Sequence, residues 1–286
     1  MYKKIINKLS KISWIIKKDS FFQKSAIKLV KKILRLTDSD LLYFTHLEIG
    51  IGNYGSVENT GEKWMVENIL KKYFDFKEKY TFFDIGANTG EYSYLLRSNF
   101  KNANIYSFEP NPRAFSMLKK ENVIAENMGL GEKIHHNKIL YSFKDMASTQ
   151  LGTTNREILD IYTYQSGKEI EKISFFSDTV DNYCSTHNIK EVDFIKIDVE
   201  GDELFVLQGS KQLLKDNKIK IIQFEFNETD SFNRIFLKDF YNILENFDLF
   251  RIKKGSLIPL GKYNKQNEIF CYQNILAIKK NLKTIK

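Results

Sequence analysis

From Tyr80 onward, short apolar runs alternate with amphipathic stretches. "YTFFDIGA" (80–87) is nearly continuous in apolar and aromatic residues and stops at a glycine, as a strand buried on both faces does. The spacing after it predicts a helix over about 90–97. "NIYSFEP" (104–110) reads as a second strand, with Asn111-Pro112 as an N-cap and a proline in the first helical position. "NVIAENMGL" (122–130) reads as a third strand. Residues 131–176 carry only short β-like pieces and a Ser/Thr/Gly-rich loop near 148–155, so an irregular segment is expected there. A short helix near 178–187 then leads into the strand "VDFIKID" (192–198), a helix over about 202–214, the strand "IKIIQFEFN" (219–227) and a helix over about 232–247. "FDLFRIKKG" (247–255) and "EIFCYQNILAIKK" (268–280) predict two closing strands joined by a polar loop.

Strands alternating with helices predict a mostly parallel sheet covered on both faces. Such sheets bind ligands beyond the carboxyl ends of their strands, where the strand order switches. Four acids stand at such ends: Asp84, Glu109, Asp198 and Glu225. In "FIKIDVEGDEL" (194–204) the acids crowd further, because Glu200, Asp202 and Glu203 follow Asp198 with only Gly201 among them. Unpaired burial of any of these would be costly, so the segment marks a place that uses negative charge. Asp202 and Glu203 fall in the first turn of the next helix, where the dipole favours acids, and need no functional role. Asp198 and Glu200 are two apart on the strand and share a face. Gln223, Glu225 and Asn227 share one on the neighbouring strand.

The turn "FFDIGANTGEYSYLL" (82–96) has glycines at 86 and 90, which let a ligand approach a helix N-terminus whose free N–H groups favour an anion. Its spacing differs from the dinucleotide fingerprint G-x-G-x-x-G. Glu109 ends the second strand, 109 − 86 = 23 residues past the first glycine, where a carboxylate can accept hydrogen bonds from two ribose hydroxyls or sit near the next helix's N-terminus. Asp84 can brace the glycine turn and also meet an ammonium group of the cofactor.

Together, "DIGANTGEYS", "YSFEPNP", "FIKIDVEGDELFVLQGS" and "IIQFEFNE" resemble the FkbM-type family of S-adenosylmethionine-dependent methyltransferases, over about residues 61–280. The resemblance implies an α/β class I (Rossmann-like) methyltransferase fold, a seven-stranded mostly parallel sheet with an antiparallel last strand. It divides the chain into an N-terminal extension, 1–60, and a methyltransferase domain, 61–286. It implies S-adenosylmethionine as cofactor, held by Asp84, Gly86, Asn88, Gly90 and Glu109, with Met128 and Gly129 on the adenine side. The family's known members methylate hydroxyl groups, often on sugars or secondary metabolites, so a small-molecule or glycan acceptor is expected. Methyl transfer to a hydroxyl needs the oxygen held in line and help in removing its proton. Asp198 is the candidate to bind or deprotonate that hydroxyl, with Glu200 and Glu225 orienting it. A divalent cation such as magnesium, held by Asp198, Glu200 and Glu225, is the alternative. Other readings share part of the pattern: an NAD-dependent oxidoreductase, which would want a Tyr-x-x-x-Lys pair, and a non-catalytic S-adenosylmethionine- or nucleotide-binding module.

Charge changes the picture only at the start of the chain. Residues 1–36 hold eleven Lys/Arg and one acid, a balance of +10, within a total of +8. The remainder has 44 − 11 = 33 basic and 36 − 1 = 35 acidic residues, which argues against specific nucleic-acid binding. Ile5, Leu9, Ile12 and Ile16, then Ile27, Val30 and Leu34, recur at helical spacing among lysines. They predict a basic helical pair that packs on the domain or a partner, or lies on an anionic membrane surface. The segment lacks the apolar core of a secretory signal and the ~18 apolar residues of a span. The two cysteines, Cys184 and Cys271, are far apart and suggest no disulfide framework, in keeping with a cytoplasmic protein. His135, His136 and the rings of Tyr141, Phe143, Tyr162 and Tyr164 are weaker candidates for the acceptor pocket.

Overall fold

The computed structural model describes residues 25, 27–30, 32, 41–118, 123–144, 152–160 and 167–285. The chain divides into two compact units, Met1–Leu47 and Glu48–Lys286. The amphipathic pair expected over residues 5–34 falls largely outside the described residues. Helix α1 spans Leu41–Glu48, across the division at residue 47. No helix among the described residues is long and apolar enough to cross a membrane.

The second unit begins earlier than the expected boundary at residue 61. Ile51 is fully buried, Gly52 N–H donates to the Tyr272 carbonyl at 2.7 Å, and helix α2 (Val57–Thr60) runs directly into α3 (Glu62–Asn68). Residues 48–60 are therefore part of the body of the domain.

Its main sheet contains β1 (Thr81–Ile85), β2 (Asn104–Phe108), β3 (Ile124–Glu126), β8 (Val192–Ile197), β9 (Ile219–Phe226), β10 (Phe247–Lys253), β11 (Ser256–Pro259) and β12 (Gln273–Lys279). Their spatial order is β11-β10-β12-β9-β8-β1-β2-β3. Strands β3, β2, β1, β8 and β9 are parallel to one another, and β12 is inserted antiparallel between β9 and β10. The mostly parallel sheet and its antiparallel last strand are as expected, but the sheet has eight strands where seven were expected, β11 being folded back on the β10 edge. The polar loop expected between the closing strands contains this hairpin return.

Every residue of β8 is buried. Phe82, Ile105, Phe194 and Ile221 face one hydrophobic core, while Phe83, Ile85, Ile195, Ile197 and Phe224 face another. Period-2 alternation thus feeds two layers. Helix α4 (Glu91–Asn99), with α3, covers the first face, through Met65, Val66 and Leu96. Helices α6 (Val180–Thr186), α7 (Glu203–Gln208), α8 (Lys211–Lys215) and α9 (Leu237–Ile243) contribute to the second. Each fully buried large side chain contributes roughly 1.5–3 kcal/mol.

Three local expectations change. The third strand divides at Asn127, with β3 in the main sheet and β4 (Gly129–Leu130) in a second one. That second sheet, of order β4-β7-β5-β6, contains β5 (His135–Phe143), β6 (Gly152–Thr153) and β7 (Ile170–Asp178). Much of the segment 131–176 is therefore a long hairpin. Its alternation is muted because most of β5 up to Ile139 is exposed, so few positions needed to be apolar. The helix over 202–214 breaks at Gly209, where a Cβ would come within 2.0 Å of the Gly131 carbonyl.

Candidate functional site

The strand order reverses at β1, whose neighbours are β2 and β8. A cleft of about 500 Å³ opens at the carboxyl ends of these strands, within the usual range of small-molecule sites. Asp84, Glu109, Asp198 and Glu225 lie on or just past four consecutive strands of the sheet: β1, β2, β8 and β9.

Gly86 follows β1 with φ +82°, and a Cβ there would lie 1.7 Å from the Asp198 carbonyl oxygen. Only glycine lets the β1 and β8 ends run this close. Asn88, also left-handed at φ +48°, donates its N–H to Glu109 Oε2 at 2.8 Å, and Asn111 N–H donates to Glu109 Oε1 at 2.7 Å. Glu109 thereby ties the glycine turn to the start of helix α5 (Pro112–Met117), where the Asn111 side chain caps as expected. Each carboxylate oxygen keeps a second lone pair. Burial, against the two N–H donors, pushes the Glu109 pKa up to about 7.

Of the expected cofactor residues, Gly86, Asn88, Glu109 and Gly129 line the cleft. Gly90 sets the start of α4. Met128 is buried in the core instead. Asp84 is turned away as well, fully buried, accepting from Ser93 Oγ at 2.5 Å. Lys196 Nζ stands 3.8 Å from its other oxygen. Asp84 thus braces the sheet and is not among the residues that line the cleft. The fit of the remaining lining to a nucleoside is chemical: a buried carboxylate with spare acceptor capacity beside a glycine turn and a helix start.

The crowded acids of 198–203 divide into separate tasks. Asp198 accepts from Lys196 Nζ at 2.8 Å, and its side chain is 34% exposed. Lys196 stands two residues before Asp198, so strand alternation puts the two on one face. Glu203 is buried and accepts the N–H groups of Val199 (2.8 Å) and Gly201 (3.0 Å). Asp202 pairs with Lys138 Nζ at 2.7 Å and receives Thr154 Oγ1. Glu200 is different. It takes φ +55°, a strained conformation for a long side chain. Thr153 Oγ1 donating to the Glu200 carbonyl at 2.9 Å, and Asn233 Nδ2 to Gly201 O at 2.8 Å, hold the loop in that shape. The Glu200 carboxyl lines the cleft and makes no hydrogen bond to another described residue. Burial, then the charges of Asp198 and Glu228, push its pKa up to about 8. Glu225, buried and bonded to Asn227, is raised well above the usual range by burial and by Asp198, Glu200 and Glu203.

Sequence reasoning missed Lys196 as a site residue, although its place two before Asp198 was a signal. It also missed Glu62, which accepts from Gln223 Nε2 at 2.6 Å, and the cleft residues Tyr54, Lys138 and Tyr272. Gln223, expected at the cleft, is fully buried, bonded to Tyr92, Glu62 and Asn274. Lys138 and Leu140 of β5 line the cleft, so Tyr141 and Phe143 fall on the opposite parity, and His135 and His136 are exposed. Tyr162 and Tyr164 lie outside the described residues. Among the described residues no three His, Cys, Asp or Glu side chains are grouped to hold a metal ion. A cation shared by Asp198, Glu200 and Glu225 has no support.

Residues 84–251 match the family model described as the methyltransferase FkbM domain. "Methyltransferase 1" of Beauveria bassiana is 25% identical over 179 residues, 53% of this chain and 70% of that protein. "2-O-methyltransferase NoeI" of Sinorhizobium fredii is 24% identical over 181 residues, 58% of this chain and 71% of that protein. Among solved structures, the N-terminal domain of human METTL16 in complex with SAH superposes with a TM-score of 0.38 at 12% identity, covering 81% of this chain and 76% of that one. A likeness so loose says nothing about chemistry.

Proposed function

The chain belongs to the FkbM methyltransferase family and is an S-adenosylmethionine-dependent methyltransferase; from that premise we propose that it methylates a hydroxyl oxygen, on a sugar or a secondary metabolite. The oxygen acceptor is supported by the likeness to a 2-O-methyltransferase and by the acids on the β8 and β9 side of the cleft. The glycine turn 86–90, the α4 N-terminus, Glu109 and the Gly129 backbone would hold the cofactor, which supplies a methyl group on a positively charged sulfur.

As the acceptor oxygen bonds to the methyl carbon and the carbon–sulfur bond breaks, the hydroxyl proton must go to a base. Glu200 is the group matched to that task. A base works best with a pKa near the working pH, and Glu200 is raised to about 8. Asp198, held in place by Lys196 Nζ at 2.8 Å, is suited to bind and aim the hydroxyl. Glu225 orients the acceptor from β9. The observation that carries this reading is the left-handed Glu200, its carboxyl unpartnered among the described residues and lining the cleft.

The experiment is methyl transfer from labelled S-adenosylmethionine to a panel of glycosides and small alcohols, with the product bond identified by mass spectrometry and NMR. A methyl ether is expected. Label appearing only on nitrogen, carbon or sulfur would overturn the hydroxyl reading.

A further inference from the structure

The cleft has an aromatic wall that no functional assignment covers. Tyr54 lies 84 − 54 = 30 residues before the start of the family match. Its ring is 57% exposed and packs on Tyr272 with centroids 4.8 Å apart and planes tilted by 35°. Both rings line the cleft, beside Glu225, Asn227 and Glu228. The pair is fixed: Gly52 N–H donates to the Tyr272 carbonyl at 2.7 Å, Asn274 Nδ2 donates to the Tyr272 hydroxyl at 3.0 Å, and the Tyr54 hydroxyl sits 3.9 Å from Cys271 Sγ.

The charges nearby narrow what such a wall can hold. Asp198, Glu200, Glu225 and Glu228 all line this side. Lys138 and Lys196 are the only cationic side chains among the described lining residues. Each is already within 2.7–2.8 Å of an aspartate of the 198–202 loop. Phosphate recognition calls on Arg or Lys donors not already committed to a carboxylate, and the described lining residues offer none. A sugar offers the complementary pattern: an apolar C–H face for an aromatic ring, and hydroxyl donors for carboxylates.

We propose that Tyr54 and Tyr272 form the platform on which the acceptor is laid, and that the acceptor is a sugar carrying no phosphate. This rests on the hydroxyl-methylation reading and extends it to a substrate class.

The test compares p-nitrophenyl glycosides of hexoses and deoxyhexoses with the matching sugar 1-phosphates as acceptors. It uses the full chain, Tyr54→Ala and Tyr54→Phe, with S-adenosylmethionine affinity measured by calorimetry. Glycosides should be methylated with kcat/KM at least about 10-fold above the phosphates, because a phosphate would meet no uncommitted cationic donor among the described lining residues. Tyr54→Ala should raise acceptor KM by about 3- to 10-fold, the scale of one aromatic contact, while cofactor affinity holds and Tyr54→Phe stays near the parent. Equal or better use of sugar phosphates, or an unchanged KM in Tyr54→Ala, would overturn the platform. If the cofactor binds but no glycoside is methylated, the sugar class falls and the methyltransferase remains. If the cofactor does not bind, the underlying reading falls, and the platform with it.

Discussion

At the scale of single residues, Lys196 governs the acids around it. Its ammonium is buried between Asp198 (2.8 Å) and Asp84 (3.8 Å), 5.1 Å over the Tyr92 ring. Burial opposes its charge, but Asp198, Asp84 and Glu62 together outweigh that and hold its pKa above the usual lysine value. Lys196→Met would leave the fully buried Asp84 uncompensated, which should cost about 3–5 kcal/mol, read as a lower urea midpoint. Wild-type stability in that variant would mean the network is not what holds β1 to β8. Glu109 makes a second prediction. Its pKa is raised to about 7, so the free enzyme keeps a proton there below that pH, and a ribose hydroxyl needs the ionised acceptor. Cofactor affinity should therefore rise as pH increases through about 7. Glu109→Gln should flatten that profile and weaken binding by about 1–3 kcal/mol, both measurable by calorimetry at pH 6 and 8. For stability the direction is opposite. A carboxyl whose folded pKa is raised costs stability once pH climbs from its unfolded value through its folded one. Glu109 and Glu200 were legible as acids at strand ends. Glu62 and Tyr272 were not, because they reach the site from 136 residues before Asp198 and 74 after it, and nothing local records such contacts.

At the scale of elements, the site depends on the close approach of two strand ends. Gly86→Ala would put a Cβ 1.7 Å from the Asp198 carbonyl at φ +82°. Left-handed strain and overpacking together should cost about 2–5 kcal/mol, lowering the melting temperature by roughly 4 °C or more. An unchanged melting temperature would mean that the turn has another way to close. The buried strands were readable because both faces of β8 and β9 are covered, which leaves near-continuous apolar runs. The β5–β7 hairpin was not, because the exposed start of β5 admits His135, His136 and Asn137 where a core strand would show apolar residues. The Glu200 conformation was equally hidden. A Glu-Gly pair announces a turn, but which of the two residues takes the strain depends on Thr153 and Asn233, which lie far away in sequence.

At the scale of the whole molecule, all the lining residues of the cleft belong to the unit Glu48–Lys286. A chain starting at residue 48 should keep the cofactor affinity of the full chain, whereas one starting at 61 loses Tyr54 and the buried Ile51. The +10 balance of residues 1–36 is proposed to favour anionic vesicles, with release at high salt; equal sedimentation of the full and shortened chains would refute this. The mostly parallel sheet with an antiparallel last strand followed from strand–helix alternation and the family resemblance, while the division at residue 48 did not, because residues 48–60 lie outside the motifs that carry the resemblance. The claim on which the account turns is that Glu200 takes the acceptor proton. The most direct test is kcat/KM for methyl transfer against pH, in the parent and in Glu200→Gln, with cofactor affinity as the control. A carboxyl raised to about 8 is protonated and idle below that pH, so the parent rate should climb to a plateau above it. Glu200→Gln should bind the cofactor normally and transfer at least ~10²-fold more slowly, without that inflection. Parental rates and a parental pH profile in Glu200→Gln would contradict the account.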